Sequence, residues 1–391
     1  METILSETAT EFREELRTWF TANLPDGWLD GGCPDLDDPT RLASFRRSWQ
    51  KQLFDAGLAA IAWPNEYGGR DADLTMQIVY EEERRRFRAP GELNVFGTRM
   101  AGPMLIEHGN VQQRERYLRP LLAGEHIWAE GFSEPNAGSD LAGLRTSARE
   151  QPDGSFVVNG QKIWTSRAGD ADYILLLART NRDSPKHRGL SAFIVDAMSP
   201  GIDMRPIHQI TGEEDFYEVF YDDVVVPAEN MVGGRDHGWD IAVKTLLHER
   251  LAVSWIFELE NLLEVLQEQM ARHPEMRKHT DYKIVDLYSR IYATKLFYLR
   301  AVDQQAREGR PSNGGALVKL LTSELAKELA RLGMSRNILA ELDMDIGRAR
   351  PNIPNTWTFE YLDAFRQTIA GGTSEIMRNI VGERSLGLPR S

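Results

Sequence analysis

The chain has 391 residues, 41% of them hydrophobic and 27% charged, and its formal net charge at pH 7 is -13. This composition is that of a globular protein with enough chain for two or three packed cores, and it excludes a low-complexity chain. The acidic balance argues against a nucleic-acid partner, because no basic stripe is available to neutralise phosphates.

The cysteine count and the hydropathy of the sequence indicate the cellular compartment in which the protein is expected. Cys33 is the only cysteine, so no intrachain disulfide can form, and a reducing compartment fits. The first residues lack the basic start and the apolar run of a signal peptide. No stretch of about 18 apolar residues is present that could span a membrane. We therefore expect a cytoplasmic protein without a membrane span.

Residues 1–125 are predicted to form an N-terminal helical domain. Two apolar stripes at helical spacing mark its first helices: Phe12, Leu16, Trp19 and Phe20, then Leu42, Phe45, Trp49 and Leu53. Ser6 or Thr8 is a candidate cap for the first helix, and the second ends at Gly57. The arginines at 84–86 are a candidate anion site, although a solvated helix face is the better interpretation.

Residues 126–235 are predicted to form a central β domain. Short runs rich in Val, Ile, Phe and Tyr indicate strands at Ser155–Asn159, Asp172–Ala178, Leu190–Val195 and Glu218–Tyr221. Turn residues separate the runs, as at 152–154 and 199–201. No helix alternates with them and no Gly-x-Gly-x-x-Gly turn is seen, so an antiparallel sheet or small barrel is expected rather than a Rossmann fold. Asn159-Gly160 is interpreted as a tight turn that places Trp164 on the outgoing strand of a hairpin.

Residues 236–391 return to long helical patterns, with a loop at 309–315 between two of the helices. Opposite charges three or four residues apart indicate a solvated helix face formed by Glu324, Lys327, Glu328 and Arg331.

Three segments carry the functional signal. They read SEPNAGSD at 133–140, NGQKIWTS at 159–166 and AGGTSEIMRN at 370–379. In this order along one chain they resemble the acyl-CoA dehydrogenase family, and the resemblance covers nearly the whole chain. It implies an α+β protein with the acyl-CoA dehydrogenase fold: an N-terminal helical domain, a central antiparallel β-sheet or barrel domain and a C-terminal four-helix bundle.

The resemblance also implies FAD as the cofactor. The residues it assigns to the flavin are Phe132, Ser133, Ser139, Trp164, Ser166, Thr373 and Glu375. Each has a structural alternative: a turn in a loop for the first segment, a core position for the Trp164 ring, and a helix cap by Thr373 or Ser374. A helix N-terminus is also an anion site, so capping and cofactor binding are compatible there.

Two segments through which a partner subunit commonly holds the distal half of FAD are not found. Family members often carry Arg-x-x-Phe-Gly and Gln-x-x-Gly-Gly-x-Gly. The region 277–290 has charges without the first pattern, and 337–345 lacks the glycines of the second. These departures leave open a hetero-oligomer in which a second gene product completes each site.

The catalytic base of this family is a carboxylate that removes the proton alpha to a thioester. Many members place it just before Gly-Thr-Ser, where this chain has Gly371. Other members, including those acting on branched chains, place it on another helix before an arginine, which matches Glu249 and Arg250. On a helix, Glu249 shares a face with Ala242, Leu246, Ala252, Val253 and Ile256.

Burial on such a face would raise the pKa of a carboxylate, which suits a general base. The alternative is a structural ion pair between Glu249 and a buried arginine. Four further acids are interpreted as exposed: Glu258, Glu260, Glu264 and Glu268. Arg250 and Ser139 are assigned to the substrate, and no metal is expected because a His-Glu-x-x-His helix would need a second histidine at Ala252.

The resemblance therefore implies an FAD-dependent acyl-CoA dehydrogenase that makes a 2,3-enoyl-CoA and passes electrons to an electron-transfer flavoprotein. The position of Glu249 suggests a branched, cyclic or bulky acyl group. A related flavin oxidase or monooxygenase and a catalytically silent subunit are the alternatives. The usual oligomeric state of the family implies a homodimer or homotetramer, or an α2β2 assembly with a paralogous chain.

Overall fold

The computed structural model of the protein describes residues 7–30, 33, 36, 38–250, 254–272, 281–308, 314–336 and 356–389. Its backbone contacts divide the chain into two compact units. The helical unit contains residues 1–45, 72–91 and 250–391, and the sheet unit contains residues 46–71 and 92–249.

The helices fall in the first and last thirds of the chain, as the apolar periodicity predicts. They are α1 (Glu7–Asn23), α2 (Pro39–Asp55), α3 (Leu74–Arg86), α4 (Gly102–His108), α5 (Val111–Ala123), α6 (Gly238–Arg250), α7 (Ser254–Arg272), α8 (Asp281–Glu308), α9 (Gly314–Arg336), α10 (Trp357–Gln367) and α11 (Ser374–Ile380). Within the described part of the chain, none combines the length and the apolar character needed to cross a membrane.

The strands lie between the two helical segments. They are β1 (Trp128–Gly131), β2 (Ser147–Glu150), β3 (Phe156–Ser166), β4 (Tyr173–Arg179), β5 (Leu190–Asp196), β6 (Ile202–Ile207), β7 (Phe216–Val226) and β8 (Met231–Val232). They form one sheet in the order β6-β7-β3-β2-β4-β5-β8, with β1 paired to β4.

The sheet is mixed, which corrects the expectation of a purely antiparallel one. β1 runs parallel to β4, and β2 forms one parallel bridge to it, while the other pairs are antiparallel. Alternation of apolar and polar residues is the same in both arrangements, so it could not reveal strand direction.

The predicted hairpin turn at Asn159-Gly160 is wrong, because β3 runs straight through these residues. The register with β7 shifts between Val158 and Gly160, which marks a β-bulge. Gly160 has φ 151°, and a Cβ there would lie 2.7 Å from the Cα of Thr146. The glycine therefore serves a close backbone approach. The turn before β3 lies at 151–155, where Gly154 N donates to Gln151 O at 2.9 Å.

The ends of the first two helices differ in part from prediction. α1 begins at Glu7, so Thr8 lies inside the first turn instead of capping it, and Ser6 is outside the described residues. α2 ends at Asp55, and Gly57 follows with φ 67°, a conformation that favours glycine. Of the loop predicted at 309–315, residues 309–313 are outside the described residues, and Gly314 and Gly315 belong to α9.

Each unit has its own apolar core. In the sheet unit the core joins residues of all the longer strands, including Phe156, Leu176 and Phe193. In the helical unit α7, α8, α9 and α10 pack around Leu266, Tyr298 and other buried side chains. The four-helix bundle expected at the C-terminus is confirmed.

Two helix faces predicted to be solvated are partly buried, because α3 and α7 pack against each other. On α3, Arg84 pairs with the buried Glu81 at 2.8 Å, and Arg85 pairs with Glu264 of α7 at 2.7 Å. Glu260 is also half-buried and pairs with Lys295 of α8 at 2.9 Å. The prediction of an exposed acid is therefore wrong for Glu260.

Candidate active site

In the sheet unit, β3 brings the first two sequence segments together. Phe132 and Ser133 follow directly on β1, where Phe132 is buried and Ser133 is half-buried. Ile163 N donates to Ser133 O at 3.0 Å, and Lys162 Nζ donates to Phe132 O at 2.8 Å. Residues that are 30 positions apart in sequence therefore lie side by side.

Trp164 lies in a second bulge of the same strand. The register between β3 and β7 shifts between Lys162 and Thr165, and Trp164 takes a left-handed backbone with φ 61°. That conformation is uncommon for a bulky residue, and such outliers cluster at functional sites. Trp164 is 57% exposed, and its ring packs edge-to-face with that of Phe216, with ring centroids 6.1 Å apart. Most of its surface is therefore free for another flat ring.

The loop that carries Ser139 is tied down by the carboxylate of Glu134. Oε1 of Glu134 accepts from Thr146 N at 2.7 Å, and Oε2 accepts from Arg145 N at 2.7 Å. Paired backbone hydrogen bonds between Glu134 and Ala137, at 3.0 and 3.1 Å, close a tight turn at its start. The loop is therefore fixed at both ends.

The middle of this loop is open. Ser139 is exposed, as is Ser166 at the end of β3. A Cβ on Gly138 would meet no atom within 4 Å. The exposed hydroxyls, the free indole and this space together fit a large polar and aromatic ligand such as a flavin.

Lys162 and Glu134 form a buried ion pair beneath these residues, with Nζ and Oε1 3.0 Å apart. Burial lowers the pKa of Lys162 to about 8, and the attraction of Glu134 opposes that shift. Burial alone would raise the pKa of Glu134, but Lys162 and the hydrogen bonds from Thr146 and Arg145 lower it overall. The attraction between the two groups therefore favours the charged form of each and opposes the effect of burial.

In the helical unit, the third segment begins α11. Thr373 is its N-cap, and the hydroxyl accepts from Ile376 N at 3.2 Å, as the capping alternative predicted. Gly371 and Gly372 have φ 65° and 106°, which only glycine adopts easily. Lys319 Nζ, which is almost fully buried, donates to Gly372 O at 2.6 Å. This bond fixes the chain just before Thr373.

The first residues of α11 differ in accessibility. Ser374 is buried and its hydroxyl donates to Glu324 Oε1 at 2.7 Å, so this part of the predicted solvated face of α9 is half-buried. Glu375 is exposed, and its Oε1 lies 3.6 Å from Nη1 of Arg378. Hydrogen bonds from its own backbone amide and from Thr373 lower the pKa of Glu375.

Glu249 and Arg250 are the last two residues of α6, and their side chains are outside the described residues. On the same predicted face Ala242 is buried and Leu246 is half-buried. Ala252 and Val253 also lie outside the described residues. The assigned roles of Glu249 and Arg250 stay predictions from sequence.

Sequence reasoning missed the buried lysines. A signal was present for Lys162, because it follows Phe156 and Val158 at even spacings along a predicted strand, where a buried charge is unexpected. Nothing comparable marked Lys319, whose partner Gly372 is 53 residues away. Within the described residues, no group of three or more His, Cys, Asp or Glu side chains could hold a metal ion.

Family models match almost the whole chain. The model for the N-terminal domain of acyl-CoA dehydrogenases matches residues 6–125, that for the middle domain matches 129–224, and that for the C-terminal domain matches 236–386.

Several individual proteins match over nearly their full length. The chain is 35% identical to "Acyl-CoA dehydrogenase IpdE1" of Mycolicibacterium smegmatis, over 97% of this chain and 98% of that protein. Among solved structures it is similar to "Tcur3481-Tcur3483 steroid ACAD", with 27% identity, a TM-score of 0.83 and all of both chains covered. The ChsE4-ChsE5 complex from Mycobacterium tuberculosis matches with 28% identity, a TM-score of 0.82 and the same full coverage.

Proposed function

This chain belongs to the acyl-CoA dehydrogenase family, and from that premise we propose that it oxidises an acyl-CoA thioester to the 2,3-enoyl-CoA with FAD as the hydride acceptor. The observation that carries the proposal is the hydrogen bond from Ile163 N to Ser133 O, beside the exposed ring of Trp164. It joins the two segments whose family counterparts contact the flavin.

FAD is the cofactor of this flavoprotein family, and the residues present fit it. We assign its contacts to Phe132, Ser133, Ser139, Trp164, Ser166, Thr373 and Glu375. The open indole face offers the apolar surface that a flavin ring needs, and the serine hydroxyls offer hydrogen bonds to its polar edge.

The catalytic base we propose is Glu249. The alternative family position is Gly371, which has no side chain to take a proton and has φ 65°. Glu249 removes the proton alpha to the thioester carbonyl, and Arg250 and Ser139 contact the substrate. The buried and half-buried neighbours Ala242 and Leu246 support an apolar environment for this acid.

For the substrate we propose a bulky cyclic acyl group, of the kind a steroid side chain or ring provides. Its support is the placement of the base on α6 and the similarity to a structure described as a steroid acyl-CoA dehydrogenase. The electron acceptor we propose is an electron-transfer flavoprotein. A flavin oxidase or monooxygenase on the same fold is the competing proposal.

The chain is proposed to have three domains, at 1–125, 126–235 and 236–391. The bounds of the three family models support this division.

An oligomer is proposed, either of identical chains or with a paralogous chain in an α2β2 form. Its support is an exposed apolar face along α8, formed by Tyr282, Val285, Tyr288, Tyr292 and Leu296, each at least 40% exposed. The rings of Tyr288 and Tyr292 lie nearly parallel, 6.2 Å apart. Two similar solved structures each name two chains. Apolar patches of this length on one helix usually mark an interface.

We expect the double variant Tyr288→Glu/Leu296→Glu to form a smaller species than the wild type, because burying two carboxylates at an apolar contact is unfavourable. Multi-angle light scattering gives the mass directly. Met198→Glu, at an apolar residue after β5 that is 85% exposed, is the matched control and should leave the mass unchanged. A double variant with wild-type mass would show that this face of α8 is not the interface.

The proposed function is tested by purifying the chain alone and, for the α2β2 form, together with a candidate paralogous chain from the same organism. We expect a flavin absorbance spectrum, and anaerobic bleaching of that flavin by a cyclic acyl-CoA more than by a linear one. Cyclohexanecarbonyl-CoA, a steroid side-chain CoA and octanoyl-CoA form a suitable series. Slow reoxidation by air but rapid reoxidation by an electron-transfer flavoprotein separates the dehydrogenase from an oxidase. Folded protein that never takes up FAD, in either preparation, rejects the proposal.

A further inference from the structure

Lys162 is a buried charge for which the proposed chemistry has no direct use. It lies on β3 in the sheet unit, its side chain is 0% exposed, and its cross-strand partner on β7 is the buried Val219. Its ammonium donates to Phe132 O at 2.8 Å and to Glu134 Oε1 at 3.0 Å. Replacing a buried ion pair with apolar residues is often neutral or stabilising, so stability alone does not account for this one.

The two partners of Lys162 lie at the start of the segment that carries the assigned flavin contacts. Phe132 O belongs to the peptide bond that leads into Ser133. Through Glu134, the same ammonium is linked to the amides of Arg145 and Thr146 at the far end of the loop. Lys162 therefore holds together both ends of the stretch that contains Ser133 and Ser139.

Other contacts restrain the loop from a different side. Arg179 of β4 donates to Ala142 O at 2.7 Å and to Leu144 O at 3.1 Å. These bonds do not reach residues 132–137. Ser133 O still accepts from Ile163 N at 3.0 Å without Lys162. Loss of Lys162 would therefore leave the second half of the loop in place and loosen the first half, where the Phe132 carbonyl and the Glu134 carboxylate lose their shared donor.

We propose that Lys162 is a positioning residue for FAD, which acts through Phe132 O and the Glu134 carboxylate to hold Ser133 and Ser139 where the cofactor needs them. This inference rests on the proposed FAD-binding function. In this role Lys162 does not contact FAD itself, but it affects the affinity of the protein for FAD. Lys162 Nζ makes both bonds at once, at 2.8 Å to Phe132 O and 3.0 Å to Glu134 Oε1.

The test compares the double variant Lys162→Met/Glu134→Gln with the wild type. Removing both charges avoids the cost of one unpaired buried ion, so urea unfolding of the apoprotein should stay close to wild type. The dissociation constant of FAD, from flavin fluorescence, should rise by about tenfold or more, since two charge-assisted hydrogen bonds are lost. The flavin absorbance maximum should shift as well.

Lys295→Met/Glu260→Gln is the matched control, because this Lys–Glu pair is half-buried in the helical unit and joins none of the assigned flavin residues. It should leave FAD affinity unchanged. If Lys162→Met/Glu134→Gln fails to fold, Glu134→Asp is tested instead. This variant keeps the negative charge, but its side chain is shorter by one methylene, which moves the carboxylate away from Lys162. A tenfold loss of FAD affinity in that variant supports the inference, and unchanged affinity overturns it.

The outcomes distinguish failure of the positioning role of Lys162 from failure of the proposed function. A wild type that binds FAD, with a folded Lys162→Met/Glu134→Gln variant that binds it equally well and shows the same spectrum, overturns the positioning role alone. A wild type that takes up no FAD overturns the proposed function and this inference with it.

Discussion

Replacing Glu249 with Gln is expected to slow reduction of the flavin by acyl-CoA by a factor on the order of 10² to 10⁴, the usual contribution of a general base. The amide keeps the shape and much of the hydrogen bonding of the acid but cannot accept the alpha proton. FAD content should be unchanged, because Glu249 is not among the assigned flavin contacts. The measurement is anaerobic bleaching of the flavin by a saturating acyl-CoA in a stopped-flow instrument.

Glu258→Gln is the matched control for this experiment, since Glu258 is an exposed acid on the next helix, α7. Its flavin should be reduced at the wild-type rate. Equal rates in the Glu249→Gln variant and the wild type would place the base elsewhere. Glu249 would then be a structural partner of an arginine, the alternative that the sequence left open.

The second large effect is expected on stability. Phe193 lies on β5, is fully buried, and packs its ring 5.0 Å from that of Phe156 in the core of the sheet unit. Phe193→Ala should lower the free energy of unfolding by about 3 to 5 kcal/mol, because it removes a large apolar side chain and leaves a cavity. Urea unfolding of the apoprotein, followed by far-UV circular dichroism, measures this loss without stabilisation by FAD.

Val225→Ala is the control, since Val225 is exposed on β7 and its truncation opens no cavity. Its effect should stay within about 0.5 kcal/mol. A loss below about 1 kcal/mol for Phe193→Ala would mean that the core collapses around the cavity more completely than cores usually do.

Local sequence patterns were sufficient for most of the secondary structure. The apolar stripes of α1 and α2 predict those helices because a helix places every third or fourth residue on one face. Four longer strands were also recognised, but β1, β2, β6 and β8 were not, since each has only two to six residues and so offers too short a pattern. Thr373 as the cap of α11 follows from its neighbours alone.

Long-range contacts decided what local patterns could not. Asn159-Gly160 has the composition of a turn, yet β3 continues through it, because pairing with β2 and β7 on both sides holds the strand extended and Thr146 occupies the space of a side chain. Charges on α3 and α7 follow the rule for solvated faces, yet Arg84 and Glu260 are half-buried where helices pack. Sequence spacing carries no information about such neighbours.

By itself, the sequence determined the family, the FAD cofactor and the order of helical and β segments. The three motifs and the apolar periods are formed by residues close together in sequence, so they can be recognised before the fold is known. Only the tertiary structure showed that Lys162 ties Phe132 to Glu134 and that a bulge turns the ring of Trp164 outward. Both features arise where strands far apart in sequence are brought into register. A buried charge and a left-handed backbone are tolerated only where such partners surround them.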